Sequence, residues 1–246
     1  MTTGCWWITG AGSGIGRELA RQIAAGGIKV IVSGRRPEAL LETADDHSRI
    51  VPLALDVTDA LAVDAAIATM EQTHGPVDVA ILNAALYQPM DLVDFDRATI
   101  ARLFETNVMG VANCLQPLLE RMRARGRGHI VIVASVAGYR GLPKAAAYGA
   151  TKAALINMAE ALQPAAAAAG IRLQIVNPGF VETPMTSVNR FPMPFLMRPE
   201  QAAARILAGM KGGGFEIAFP WMFVLLLKLG RLLPYWLYLK LTRRVL

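Results

Sequence analysis

Tyr148 and Lys152 stand four residues apart in a run that reads as helix, Tyr148-Gly149-Ala150-Thr151-Lys152, so their side chains share one face. A free phenol titrates near ~10, and an ammonium beside it favours the phenolate and brings that value toward neutral pH. The pair can then give a proton to a carbonyl oxygen or take one from an alcohol. Ser135 follows an apolar, strand-like run, at the edge where open α/β sheets place their ligands. Its hydroxyl can hold a substrate oxygen as charge develops on it.

A second group of residues suits a dinucleotide. Gly10-Ala11-Gly12-Ser13-Gly14-Ile15-Gly16 lies between a strand-like run ending at Thr9 and a helical pattern starting at Arg17. Glycines allow the tight turn and close approach of backbone to a pyrophosphate, which the helix N-terminus stabilises. The second strand-like run ends at Gly34, followed by Arg35 and Arg36. An NAD site usually offers an acid near this point, whereas arginine suits the 2′-phosphate of NADP. The expected cofactor is therefore NADP(H). Asp56, followed by Val57, could accept from an adenine amino group or help to start the next helix.

These residues need a scaffold that brings strand ends together. Short apolar runs at 5–9, 28–33, 50–55, 77–82, 129–134, 171–176 and 215–219 alternate with helical stretches at 15–26, 59–74, 97–124, 147–169 and 199–210. Strands buried on both faces and joined by helical crossovers predict an α/β fold, a doubly wound parallel sheet of about seven strands with helices on both faces. One domain is expected over 1–220, with 221–246 a C-terminal extension rather than a domain of its own.

With Asn107, Ser135, Tyr148, Lys152 and Pro178-Gly179 following the glycine loop in order, the chain resembles the short-chain dehydrogenase/reductase family over residues 4 to about 211. The resemblance implies hydride transfer between NADP(H) and a carbonyl or alcohol. It gives Tyr148, Lys152 and Ser135 the catalytic roles argued above, has Lys152 also bond the nicotinamide ribose, and has Asn107 support a water that relays protons. Asn83-Ala84-Ala85 would border the cofactor, and Pro178, Gly179, Val181 and Thr183 would back the nicotinamide. The family usually has Asn-Ala-Gly where this chain has Asn83-Ala84-Ala85, and a methyl at Ala85 is tolerable only if φ there is negative. The resemblance also implies a homodimer or homotetramer formed through 97–124 and 147–169, the latter carrying an alanine run at 165–169.

The substrate is not spelled out. Pro184, Met185, Phe191, Pro192, Met193, Phe195, Leu196 and Met197 between Thr183 and Pro199 suit either an apolar ligand or a lid packed on the core. The leading reading is reduction of an apolar or lipid-like carbonyl. A 3-oxoacyl thioester reductase would want basic docking residues at its mouth, and a non-catalytic NADP sensor would not need Ser135, Tyr148 and Lys152 together. Arg121, Arg123, Arg125 and Arg127 read as a solvated helix end, and His47, His74 and His129 have no metal-ligand spacing.

Charged residues make up 18% of the chain, below the usual ~25%, and the net charge is +6. Lys228, Arg231, Lys240, Arg243 and Arg244 lie in 221–246, which has no Asp or Glu, so the rest is nearly neutral and no nucleic-acid partner is expected. The two cysteines and the lack of a signal-like segment before residue 5 suit a cytoplasmic protein. Apolar and aromatic residues around those five cations make 221–246 an amphipathic element, broken at Pro234. It could meet a membrane surface, close the substrate pocket or join subunits.

Overall fold

A computed structural model describes residues 4–243. Seven strands form one parallel sheet: β1 (Cys5–Thr9), β2 (Val30–Gly34), β3 (Ile50–Ala54), β4 (Val77–Leu82), β5 (Gly128–Val133), β6 (Ile171–Pro178) and β7 (Glu216–Phe219), in the order β3-β2-β1-β4-β5-β6-β7. The order reverses between β1 and β4, which pair in register from Trp6↔Val79 to Thr9↔Leu82. A crevice opens beyond strand ends at such a reversal.

Alternate strand residues bury into two cores because side chains alternate across a sheet. Trp7 and Ile31 face α3 (Ala60–His74), α5 (Gly110–Ala124) and α6 (Ala146–Ala168), where Ile67, Leu118 and Leu155 meet them. Ile8 and Val32 face α1 (Gly14–Ala25), α2 (Pro37–Ala44) and α7 (Pro199–Lys211), through Leu19, Leu40 and Ile206. The helix α2 was not among the expected elements. Its signals were Pro37 at the first turn and Glu38 beside it.

The expected helix 97–124 is α4 (Arg97–Phe104) joined to α5 through a π-helical turn, Glu105–Met109. Such a turn inserts an extra residue, and here Asn107 is buried within it. Beyond β7 the chain forms α8 (Trp221–Leu232) and α9 (Tyr235–Thr242), separated at Pro234, which cannot continue the i to i−4 bonding. Val224 and Tyr238 are buried against the body. Lys228 pairs with Glu216, and Arg243 is exposed, while Arg244 lies outside the described residues.

The arginines in and just after the last turn of α5 are not all solvated. Arg121 and Arg125 both pair with Glu71, at 3.2 and 2.8 Å, and Arg125 also donates to the Val77 carbonyl, so they tie α5 to α3 and the start of β4. Among the described residues no cluster of His, Cys, Asp and Glu could hold a metal, and no helix is long and apolar enough to cross a membrane.

Candidate active site

A cleft of about 290 Å³ runs along the reversal point. One end is lined by Gly10, Gly12, Ser13, Gly14 and Ile15, with Arg35, Arg36, Asp56 and Val57 beside them. The other end reaches Ser135, Tyr148, Lys152, Pro178, Gly179, Val181 and Thr183, with Asn83 and Ala84 between.

The glycine loop is braced from below. Arg17 donates to the Gly12 carbonyl at 2.6 Å and to Glu42 at 2.9 Å, and the Thr43 hydroxyl donates to the Ala11 carbonyl at 2.9 Å. A Cβ on Gly10, where φ is +68°, would stand 2.6 Å from Ala84 Cα, so the loop can approach β4 only as glycine. Ser13 precedes α1 without capping it, and the first turn has no acid, leaving helix N–H groups to meet an anion at Gly14 and Ile15. Gly16 does not line the cleft. It is buried, and a Cβ there would meet the Gly10 carbonyl at 2.5 Å, so this glycine serves helix-to-loop packing.

Arg35 and Arg36 are exposed at the cleft, and their side chains have no hydrogen-bond or ion-pair partner among the described residues. Asp56 spends one oxygen on the Thr58 N–H and hydroxyl, at 3.0 and 2.9 Å, and the cap of α3 falls to Asp59 instead. Asn83 turns its amide toward the glycine loop, donating to the carbonyls of Thr9 and Gly10 at 3.2 and 3.0 Å. Ala85 is not among the non-glycine residues with positive φ, which are Asp45, Asp46, Lys144 and Phe195, so its methyl brings no backbone strain. These features fit a dinucleotide: a glycine cradle at a helix N-terminus, free guanidinium groups beside it, and a polar strand edge beyond.

At the far end Lys152 is 2% exposed and donates to the Val133 carbonyl at 2.9 Å. Burial lowers its pKa to about 7. Its Nζ lies 5.5 Å from the centre of the Tyr148 ring. Burial pushes the Tyr148 phenol up, against the opposing pull of the Ser135 hydroxyl. The expected lowering of the phenol by an ammonium is therefore not seen in the protein alone, because one apolar environment disfavours both charged forms. Tyr148 also meets the Tyr87 ring edge-on at 4.8 Å, and Tyr87 donates to Asn189 at 2.7 Å.

Asn107 does not reach the cleft. Its Oδ1 accepts from the Leu86 N–H at 2.6 Å, and its Nδ2 donates to the Leu86 carbonyl at 2.9 Å and the Thr151 hydroxyl at 3.1 Å. Both amide protons are used, so the side chain positions the irregular segment after β4 against α6. Ser135 accepts from the Ala137 N–H at 3.1 Å, and its hydroxyl contacts the Pro178 carbonyl at 3.4 Å.

A second cavity of about 110 Å³ shares Ser135, Tyr148, Gly179, Met185 and Thr186 with the cleft. Its other walls are mainly apolar, with Leu142, Phe180 and Phe191 from the body and Phe223 from α8. Phe223 stacks on Phe180 at 5.7 Å and meets Phe195 at 5.9 Å. Phe223 is thus the residue of the extension, among those described, that lines this cavity. Lys144 also lines this chamber, a cation that sequence reasoning did not place there.

Two further anchors were missed. Arg140 donates to the carbonyls of Gly230 and Leu233, each at 2.7 Å, and to that of Arg231 at 3.1 Å, and lies 3.9 Å from the Tyr238 ring centre. It therefore caps α8 from the loop between Ser135 and Tyr148. Glu216 accepts from Tyr139, Asn177 and Lys228. Burial works to raise its carboxyl, but these donors outweigh it and hold the pKa below the usual range. Neither partnership has a spacing signal, since no helical or strand period relates the residues.

The family model described as short chain dehydrogenase matches residues 5–192. An uncharacterized oxidoreductase of Myxococcus xanthus is 36% identical over 231 residues, covering 92% of this chain and 91% of its own length. The crystal structure of a short-chain dehydrogenase from Streptomyces avermitilis superimposes with a TM-score of 0.84 at 30% identity, covering 94% of this chain and 93% of that one. That of an actinorhodin polyketide ketoreductase variant with NADPH gives 0.78 at 27% identity, with 88% and 96% covered.

Proposed function

The chain belongs to the short-chain dehydrogenase family of oxidoreductases, and from that premise we propose that it transfers a hydride between NADP(H) and the carbonyl or alcohol carbon of an apolar, lipid-like substrate. The observation that carries this reading is the junction of the two cavities at Ser135 and Tyr148, with Lys152 buried beside them. Gly10 to Ile15 would hold the pyrophosphate, Arg35 with Arg36 the 2′-phosphate, Asp56 and Val57 the adenine, and Pro178 to Thr183 the nicotinamide. Hydride transfer is the chemistry the nicotinamide supplies when bound.

The chain's own residues handle the oxygen and its proton. Ser135 donates to the substrate oxygen, and Tyr148 gives it a proton during reduction or removes one during oxidation. Lys152 would bond the nicotinamide ribose and supply positive charge at the Tyr148 oxygen when it is protonated. Apolar walls at Phe180, Phe191 and Phe223 exclude water and favour a hydrocarbon body on the substrate.

The test is NADPH oxidation against a panel of lipophilic ketones and aldehydes, with Tyr148→Phe as control. Turnover should fall by ~10²-fold or more in the variant while NADPH binding survives. A folded variant that turns over at the wild-type rate would refute the assignment. A 3-oxoacyl thioester is the second reading, favoured by Lys144 at the chamber wall, where an ammonium could meet an anionic group of the acyl carrier. Including such thioesters in the panel separates the two.

A further inference from the structure

The helices α8 and α9 press one face each onto the body and turn the other outward. On α8 the exposed apolar residues are Trp221, Met222, Leu225, Leu226, Leu229 and Leu232, a stripe at helical spacing flanked by the exposed Lys228 and Arg231. On α9 they include Tyr235, Trp236 and Leu239, and Trp236 is 70% exposed. Among the described residues nothing covers this stripe, and an apolar patch of such length marks an interaction surface rather than ordinary solvent-facing scatter.

Charge decides between occupants. Residues 221–246 have no Asp or Glu. Lys240 and Arg243 are exposed at the helical positions that continue the Trp236 and Leu239 face, and Arg231 is exposed at the end of α8. None of these three is in an ion pair among the described residues, whereas Lys228 is held by Glu216. A second copy meeting this face through the same face would bring together two segments that carry these cations and no carboxylate. An anionic lipid surface would pair with them, and Trp221, Tyr235 and Trp236 are the side chains that settle at a headgroup boundary. At ~1.5 Å per residue, α8 is about 18 Å long, enough to lie in the interface but not to cross the bilayer.

We infer that the outward face of α8 and α9 docks on an anionic lipid bilayer, with the helices in the plane of the headgroups. Phe223 on the inward side of α8 then makes this helix the partition between lipid and chamber. The docking is independent of the reaction proposed above, and its test reads no turnover.

Flotation of the full chain is measured with vesicles of phosphatidylcholine alone and with about one part in three phosphatidylglycerol. Deleting 221–246 would remove Phe223, Val224 and Tyr238 from packed positions, so the informative variant is Leu226→Glu with Trp236→Glu, both on the outward face. The wild type should float with anionic vesicles, and ~10-fold less with neutral ones or in ~1 M salt, where charges are screened within ~3 Å. The double variant, with its helical content and thermal transition preserved, should lose at least ~10-fold in binding. Wild-type protein that stays unbound to anionic vesicles overturns the inference, as does a double variant that floats as well as wild type. A wild type that ignores vesicles and forms a dimer which the same two substitutions split would assign the face to a second copy instead.

Discussion

Replacing Lys152 by methionine should stabilise the protein while abolishing its proposed chemistry. The ammonium is 2% exposed, and burial moves its pKa from 10.5 to about 7. At ~1.4 kcal/mol per pH unit, that displacement corresponds to a charged-form penalty of ~5 kcal/mol. Methionine is unbranched and of similar length, so it fills the same space without the charge. It abandons the bond to the Val133 carbonyl, which costs ~1–2 kcal/mol for a buried acceptor. The net gain should be about 3 kcal/mol at pH 7.

The sign of its pH dependence follows from proton counts. Between pH 7 and 10.5 the unfolded wild type holds the Lys152 proton more than the folded protein does, so wild-type stability rises with pH through that window. Below about pH 7 both states are protonated and the penalty is complete. The advantage of Lys152→Met should therefore be flat below pH 7 and shrink by up to ~1.4 kcal/mol per unit above it. Urea unfolding of both proteins at about pH 6 to 9.5, compared at each pH, isolates this one group. A variant less stable than wild type at pH 7, or an advantage that does not change with pH, would refute the reasoning.

Arg35→Ala should weaken NADPH binding by ~10-fold or more and leave NADH nearly unchanged, because only the 2′-phosphate makes a charge-assisted bond there; equal wild-type affinities in fluorescence titrations would count against it. Phe223→Ala should raise KM for a long-chain substrate by ~10-fold with the NADPH Kd intact, since Phe223 lines the chamber and not the dinucleotide cleft; a matching loss of NADPH affinity would show that α8 acts elsewhere. Sedimentation should find a dimer or tetramer formed through α4, α5 and α6, whose outward positions on α6 include Ala153, Ala161, Ala165 and Ala168; a monomer at micromolar concentration would exclude it.

The parallel sheet was legible because its strands are short, apolar on both faces and separated by long helical patterns. The helix α2 was missed because it has eight residues and sits between two arginines and two aspartates, where turn signals dominate. Tyr148, Lys152 and Ser135 could be found because their chemistry is tied to local spacing and to a strand end. Gly16 and Asn107 also carry recognisable spacing, yet position other residues rather than line the cleft. Arg140, Glu216 and Phe223 were invisible for a different reason. Arg140 meets Gly230 across 90 residues of chain and Glu216 meets Asn177 across 39, separations that no periodicity relates, so only packing brings such partners together.

The two cavities are complete at different moments in the making of the chain. Every residue lining the dinucleotide cleft lies at or before Thr186, whereas the chamber lacks a wall until Phe223 has been added. Domains begin to fold from the N-terminal side during synthesis. A growing chain can thus acquire its phosphate loop while Phe180, Phe191 and Phe195 still flank an open trough. A stop codon after β7 would leave that trough uncovered, giving a product that holds a dinucleotide yet presents aromatic surface to chaperones and to other unfinished chains.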